Sequence, residues 1–392
     1  MKVLLNYSDF PPVINGGSIR AEHLCRFLVK NNVVPYLVTS HLKVGKGTML
    51  SNRKEVDGVN VSRIKTFGSK IGLPPGYGGI PFFTLKNIQT AKKEKVDIMH
   101  FSTPSEICWL AGYYTRKFVK KPCVFEMRDP WLRQDDKGIK KGVSRKSLLG
   151  KLSYKIEDEI CRNAEAIVVT NPSIKEELLK LHKFDGGKVN VVYNGAGYAS
   201  NKSIIEGEKF IITYFGMIYG SRVLEELINV CSRLNKEKHN VCLQFIGDGP
   251  ARDEIKSYVE SIGLKEKTRF VSTVKEEELE KICRNTSLFY VGLQDTPSLK
   301  YALPSKIFDA MGFGKPVIAT GAENGELHQF VKNNKIGDFC KNEDEIYESI
   351  LGYYNNKKKI KTTGEHCLKL AKTTFSRESQ NKKILELYGE IA

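Results

Sequence analysis

The stretch Tyr301–Thr320, YALPSKIFDAMGFGKPVIAT, sets a Pro-Ser-Lys turn, a short apolar helix, a Gly-Lys-Pro turn and a β-branched run end to end. It is a helix-then-strand unit, and its rhythm recurs along the chain. Strand candidates in the first half are KVLLNY, VPYLVTS, GVNVSRI, DIMHFS, PCVFEM, AIVVT and VNVVYN, with helical patterns such as Ser18–Lys30 and Tyr154–Arg162 between them. The second half restarts with KFIITYFG, VCLQFIG, TRFVST, LFYVGL and KPVIATG. Alternation at this spacing predicts an α/β chain whose parallel sheets are covered on both faces. The polar, glycine-bearing segment 195–209 interrupts the pattern and predicts two doubly wound domains, residues 1–197 and 205–374, with a terminal helix at about 375–392 packing back on the first.

Composition agrees with this reading. A chain of 392 residues with 41% hydrophobic and 27% charged residues is globular and long enough for two cores. No apolar run approaches the roughly 20 residues that cross a bilayer. The opening MKVLLNY is too short in its apolar part for a signal peptide and reads as a first buried strand, so the expected location is cytoplasmic. Nine cysteines, no two nearer than eleven residues, lack metal or redox spacing and read as free, mostly buried thiols. The formal charge of +17 is lopsided: residues 1–200 hold 33 Lys and Arg against 18 Asp and Glu, leaving 29 against 27 for the remainder. Such a field suits an anionic partner, whether nucleic acid, an anionic membrane or a phosphorylated substrate, although a solvated basic surface is the plainer alternative.

Ligands in doubly wound folds bind beyond the carboxyl ends of the strands. Five such ends stand out. After KVLLNY, two prolines forbid helix and Gly16 and Gly17 lead into an amphipathic helix; they let backbone approach a phosphate, or simply turn the chain. After PCVFEM come Arg128, Asp129 and Trp131, with Glu126 inside the strand; either these carry function or Arg128 is paired internally with Glu126 or Asp129. His100 ends DIMHFS and reads more simply as a packed histidine. In the second half, Gly216 and Gly220 precede a helix that begins near Arg222, and Gly-Asp-Gly-Pro, with Asp248, follows VCLQFIG, where turn chemistry alone is a sufficient explanation. Arg222 and Lys306 both stand at helix entrances. The unpaired N–H groups and dipole there repel a cation unless an anion lies between, and two such cations can clamp a diphosphate.

Tyr-Asn-Gly at the domain junction, Gly-Asp-Gly-Pro after a strand and PSKIFDAMGFGKPVIA follow one another in this chain, which thereby resembles the retaining glycosyltransferases of family 4. It looks closest to the subgroup reading Pro-Ser-Lys with a single acid in the helix, which includes aminosugar transferases of bacterial surface polysaccharide synthesis. FEMRDPW resembles that subgroup's Glu-x-Arg-Asp-x-Trp segment. The resemblance implies a GT-B fold of two Rossmann-like domains facing across a cleft, with a nucleotide sugar, UDP rather than GDP, on the second domain. It implies a lipid-linked or saccharide acceptor on the first. The wider family has two glutamates separated by seven residues, the second holding the donor ribose; Tyr301 and Asp309 occupy those places. Its phosphate-binding Arg and Lys map onto Met217 and Arg222, so one cation is missing and Lys306 is expected to supply it, with Ser305 and nearby amides binding the diphosphate directly. Arg128 and Asp129 stand where relatives present a sugar-orienting histidine. No cofactor and no metal is expected.

Two readings compete with this one. A UDP-sugar epimerase of the same architecture would need an acid and a base at the sugar ring. A nonenzymatic nucleic-acid-binding protein is permitted by charge, but no helix-turn-helix, zinc or stacking signature accompanies it, so no nucleic-acid partner is expected. The first half instead holds two stretches that suit a peripheral anionic membrane contact: SKIGLPPGYGGIPFFTLK, with Ile80, Phe82 and Phe83, and the Lys- and Arg-rich KGIKKGVSRKSLLGKLSYK, with Leu148, Leu149 and Leu152.

Overall fold

The computed structural model describes residues 1–13, 15–41, 56–65, 77–103, 106–130, 148–197, 209–219, 221–274 and 276–392. Trp131, Gly220, and residues 69–76, 137–147 and 198–208 of the stretches discussed above lie outside them. The chain divides into two units, Met1–Tyr193 with Gln380–Ala392, and Asn194–Ser379.

In the first unit the strands are β1 (Lys2–Asn6), β2 (Val34–Ser40), β3 (Asn60–Ile64), β4 (Ile98–Ser102), β5 (Cys123–Met127), β6 (Ala166–Val169) and β7 (Val189–Val191). They form one sheet ordered β3-β2-β1-β4-β5-β6-β7, parallel at every pairing. Every residue of β4 and β5 is buried, as expected of central strands covered on both faces. The helices are α1 (Gly16–Lys30), α2 (Ile80–Glu94), α3 (Glu106–Phe118), α4 (Leu148–Asn163) and α5 (Pro172–His182). The second unit carries β8 (Phe210–Phe215), β9 (Val241–Ile246), β10 (Thr268–Val271), β11 (Leu288–Gly292), β12 (Val317–Thr320) and β13 (Gly337–Cys340), ordered β10-β9-β8-β11-β12-β13 and again all parallel. Its helices are α6 (Ser221–Lys236), α7 (Arg252–Ser261), α8 (Glu276–Cys283), α9 (Lys306–Gly312), α10 (Glu326–Asn334), α11 (Glu343–Tyr354) and α12 (Lys357–Lys372). Helix α13 (Arg377–Ile391) brings the chain back, and its Ile384, Leu387 and Tyr388 join the first unit's core with Leu5, Tyr7 and Leu24.

Several details depart from the sequence reading: the units divide after Tyr193 and Ser379 rather than at residues 197 and 374, and α4 begins at Leu148, ahead of Tyr154. Helix α1 starts two residues before Ser18, because Asn15 accepts the Ser18 amide at 2.8 Å while the Ser18 hydroxyl answers the Asn15 amide, a reciprocal cap. Strand β13, GDFC, is absent from the expected set; Gly and Asp disfavour strand, and this edge pairs only with β12. The topology fixes where to look for ligands: sheet order reverses between β1 and β4 in the first unit and between β8 and β11 in the second.

Candidate functional site

In the second unit, the turns that follow β8 and β9 are locked together. The Gly216 amide donates to Ile246 O at 2.9 Å, Ile218 N to Asp248 O at 3.0 Å and Ala251 N to Ile218 O at 3.2 Å. Gly247 has φ of +136°, and a Cβ there would stand 2.2 Å from Gly216 O, so only glycine fits. The Asp248 carboxylate serves the scaffold: Oδ2 accepts from Thr273 N at 2.9 Å and Oδ1 lies 3.4 Å from Arg252 Nε. Partial burial opposes its charge, but the Thr273 amide and Arg252 outweigh it and hold the carboxyl below its ordinary value.

Lys306 opens α9 and reaches these turns. Its Nζ lies 3.9 Å from the centre of the Tyr214 ring, whose hydroxyl donates to Met217 O, and 3.6 Å from where a Gly216 Cβ would stand. The electron-rich ring face offsets part of the repulsion a cation meets at a helix entrance. Among the described residues Lys306 has no carboxylate partner. Ser305 precedes it in helical conformation, φ −57°, and its hydroxyl does not cap α9. Arg222 lies in the first turn of α6; its side chain is outside the described residues. Asp309 sits in α9, where its Oδ1 accepts from Gly197 N at 2.9 Å and lies 3.4 Å from an Arg377 nitrogen. Gly216, Met217 and Lys306 thus come together at the end of β8, while the Asp309 carboxylate is turned to the segments around Ala196 and Ser376, which themselves pair as a parallel bridge.

In the first unit the end of β5 meets the start of α1. The Arg128 guanidinium lies so close to Gly17 that a Cβ there would stand 2.6 Å from Nη1. Arg128 N donates to Thr103 Oγ1 at 2.9 Å, Arg128 Nε to Thr103 O, and the guanidinium carbon is 5.8 Å from the Tyr7 ring centre. The internal ion pair that the sequence allowed for Arg128 is not formed with either neighbour: Asp129 is exposed, and Glu126 is taken by Arg20, with Nε and Nη2 on Oε1 at 2.9 and 2.7 Å. Gly16 is exposed at the helix start. Glu126 is fully buried and also accepts Tyr7 Oη at 2.9 Å and the Ser102 hydroxyl. Burial opposes its ionisation, yet Arg20, with His100 Nε2 3.8 Å from Oε2, holds it well below the ordinary carboxylate range, while burial and Glu126 push the Tyr7 hydroxyl well up. His100 is packed as expected, with Nδ1 on Tyr388 Oη at 2.5 Å. Arg20 was not singled out from the sequence; an arginine one turn into an amphipathic helix carries no mark of burial until its partner strand is known.

Six large apolar side chains stand exposed on neighbouring helices α2, α3 and α4: Phe82, Leu85, Tyr114, Phe118, Leu148 and Leu152. Phe83, by contrast, is buried. An open groove beside α2 is lined by Ile64, Lys65, Phe82, Leu85, Lys86 and Gln89. Among the described residues no cluster of three His, Cys, Asp or Glu groups is placed to hold a metal, and no helix is long and apolar enough to cross a membrane. Eight of the nine cysteines are buried and all are free.

Residues 14–196 match the family described as Glycosyltransferase Family 4, and residues 199–377 match Glycosyl transferases group 1. The chain is a glycosyltransferase of GT-B type. An uncharacterized glycosyltransferase of Methanocaldococcus jannaschii is 22% identical over 88% of this chain and 87% of its own length. The alpha-monoglucosyldiacylglycerol synthase of Streptococcus pneumoniae is 22% identical over 79% and 72%. Among solved structures, sucrose-phosphate synthase from Thermosynechococcus elongatus superposes with a TM-score of 0.76 at 16% identity, covering 100% of this chain and 98% of that one. Anabaena HepE in complex with UDP superposes at 0.69 and 14% identity, covering 100% of both chains.

Proposed function

We propose that this glycosyltransferase moves a sugar, with retention, from a UDP-sugar to a lipid-linked or saccharide acceptor in bacterial surface-polysaccharide synthesis. The observation that carries the reading is the ammonium of Lys306, without a carboxylate partner among the described residues, beside the paired glycine turns after β8 and β9. Cleaving the bond between the anomeric carbon and the diphosphate oxygen leaves negative charge on that oxygen and oxocarbenium character on the sugar. Lys306 and Arg222 are assigned to that charge as fixed electrostatic partners, with Ser305 and nearby amides on the diphosphate, without a metal. The acceptor hydroxyl attacks on the leaving-group face, its oxygen bonds to the anomeric carbon, and its proton passes to the departing phosphate. Arg128, with Asp129 and the Gly16–Gly17 helix start, orients sugar and acceptor, and Asp309 is assigned to the ribose in exchange for the Gly197 amide that its Oδ1 accepts in the free protein. UDP bound in the Anabaena relative supports the choice of nucleotide, and the glycolipid product named for the pneumococcal relative supports a lipid acceptor.

The reading also assigns the α2–α4 face to an anionic membrane surface, where lysines beside exposed Leu and Phe combine attraction with shallow insertion. Thermal shifts across a panel of UDP- and GDP-sugars test the donor, because a ligand of the native state raises the melting temperature. Transfer or slow hydrolysis of the stabilising UDP-sugar is expected; release of an epimeric UDP-sugar instead would overturn the transferase reading of the site.

A further inference from the structure

We infer that Tyr7 and the buried Glu126–Arg20 pair are a positioning device for Arg128. Glu126 lies in β5 and Arg128 just past its end, two residues on, and Tyr7 touches both. Tyr7, just past β1, stands between them: its hydroxyl donates to Glu126 Oε2 at 2.9 Å while its ring lies under the Arg128 guanidinium. Ser102 and Thr103 repeat the link in adjacent residues, Ser102 holding Glu126 Oε2 and Thr103 holding both the amide and Nε of Arg128. Arg20 anchors the far end. Beyond Glu126, its Nη1 donates to Tyr193 O at 2.8 Å and its Nη2 to Val192 O at 3.1 Å, and the Tyr193 amide in turn donates to Gln380 Oε1 at 2.9 Å. Apolar side chains would fill this space at no desolvation cost, and a buried ion pair is a weak source of stability. What it supplies is direction: a carboxylate held by Tyr7, Arg20 and Ser102 fixes the tyrosine, and the tyrosine fixes the guanidinium that lies against Gly17 and has no carboxylate of its own among the described residues.

The inference rests on the reading that Arg128 contacts sugar or acceptor, and the test separates the two. Tyr7→Phe keeps the ring and leaves Oε2 with Ser102, so the fold is retained. With the full chain and UDP-N-acetylglucosamine as probe, UDP release is measured for wild type, Tyr7→Phe, Arg128→Lys and the double variant, with melting temperatures alongside. Tyr7→Phe is expected to lower kcat about tenfold with the donor KM and the melting temperature little changed, and to add nothing in the Arg128→Lys background. Multiplicative effects of the two substitutions would overturn the coupling. If Arg128→Lys alone leaves turnover intact, or the probe is not turned over, the role given to Arg128 in catalysis is unsupported and the crystal structure of Tyr7→Phe decides the positioning. A guanidinium displaced from Gly17 upholds it, and one that has not moved refutes it.

Discussion

Replacing Lys306 with methionine keeps most of its length and removes its charge. In the protein the ammonium has the Tyr214 ring at 3.9 Å and, among the described residues, no carboxylate within ion-pair distance. Losing the ring contact at this half-buried site costs the free protein about 0.5–2 kcal/mol, so the fold should tolerate the change. Against a bound diphosphate the same ammonium makes a charge-assisted hydrogen bond worth about 1.5–3 kcal/mol, and at about 1.4 kcal/mol per factor of ten the expected loss in UDP affinity is about ten- to a hundredfold. Titration calorimetry with UDP and with uridine separates the terms, since uridine has no phosphate. Weaker UDP with unchanged uridine is the expected pattern, and the wild-type advantage should shrink as salt is raised. Unchanged UDP affinity would refute the assignment, and equal losses for both ligands would place the effect in the fold.

Gly247→Ala should lower the melting temperature by the equivalent of at least 1–3 kcal/mol, roughly the strain of a left-handed residue, and more because its Cβ meets Gly216 O; Gly263→Ala, also left-handed at φ +75° but in open space, is the control that should cost less. Glu126→Gln should be strongly destabilising at neutral pH because it removes the negative charge that the buried Arg20 guanidinium faces. The folded carboxyl titrates well below its unfolded value, so its contribution is complete above about pH 4.3 and is lost as pH falls toward the folded value. The gap in melting temperature between variant and wild type should therefore narrow only below that pH, and a gap that is constant down to pH 3 contradicts the ion-pair account. Leu85→Glu with Leu148→Glu should reduce cosedimentation with phosphatidylglycerol vesicles at low salt, and equal, negligible sedimentation of wild type with anionic and neutral vesicles removes the membrane assignment.

The strands of both sheets were legible because buried parallel strands are continuous apolar runs bounded by turn residues, as in DIMHFS and PCVFEM. Strand β13 was not, since four residues containing Gly337 and Asp338 carry no such run and take their conformation from β12. At the site, the proximity of Lys306 to the Gly216 turn follows from fold topology once the strand order is known. The partner of Glu126 did not follow: the sequence shows Arg128 and Asp129 beside it, whereas the sheet brings Arg20 from more than a hundred positions away and turns Arg128 to Thr103. Side chains separated along the chain find each other through packing, which local spacing does not encode. Likewise Phe82 and Phe83 are equivalent in sequence, and only the helix turn that buries one of them distinguishes the surface from the core.

The return of the chain through α13 has a consequence for how the protein is made. On the ribosome, all seven strands of the first sheet emerge before the second unit begins, yet the seat that receives Ile384, Leu387 and Tyr388 stays open until the whole second unit has been translated. Domains generally fold as they emerge, so the nascent first unit waits with an apolar trough, and with His100 lacking its Tyr388 partner. A gene fragment stopped at Tyr193 would encode that waiting state and should be prone to aggregate. One that fuses Tyr193 through a short linker to Gln380–Ala392 would encode a sheet with its trough already filled.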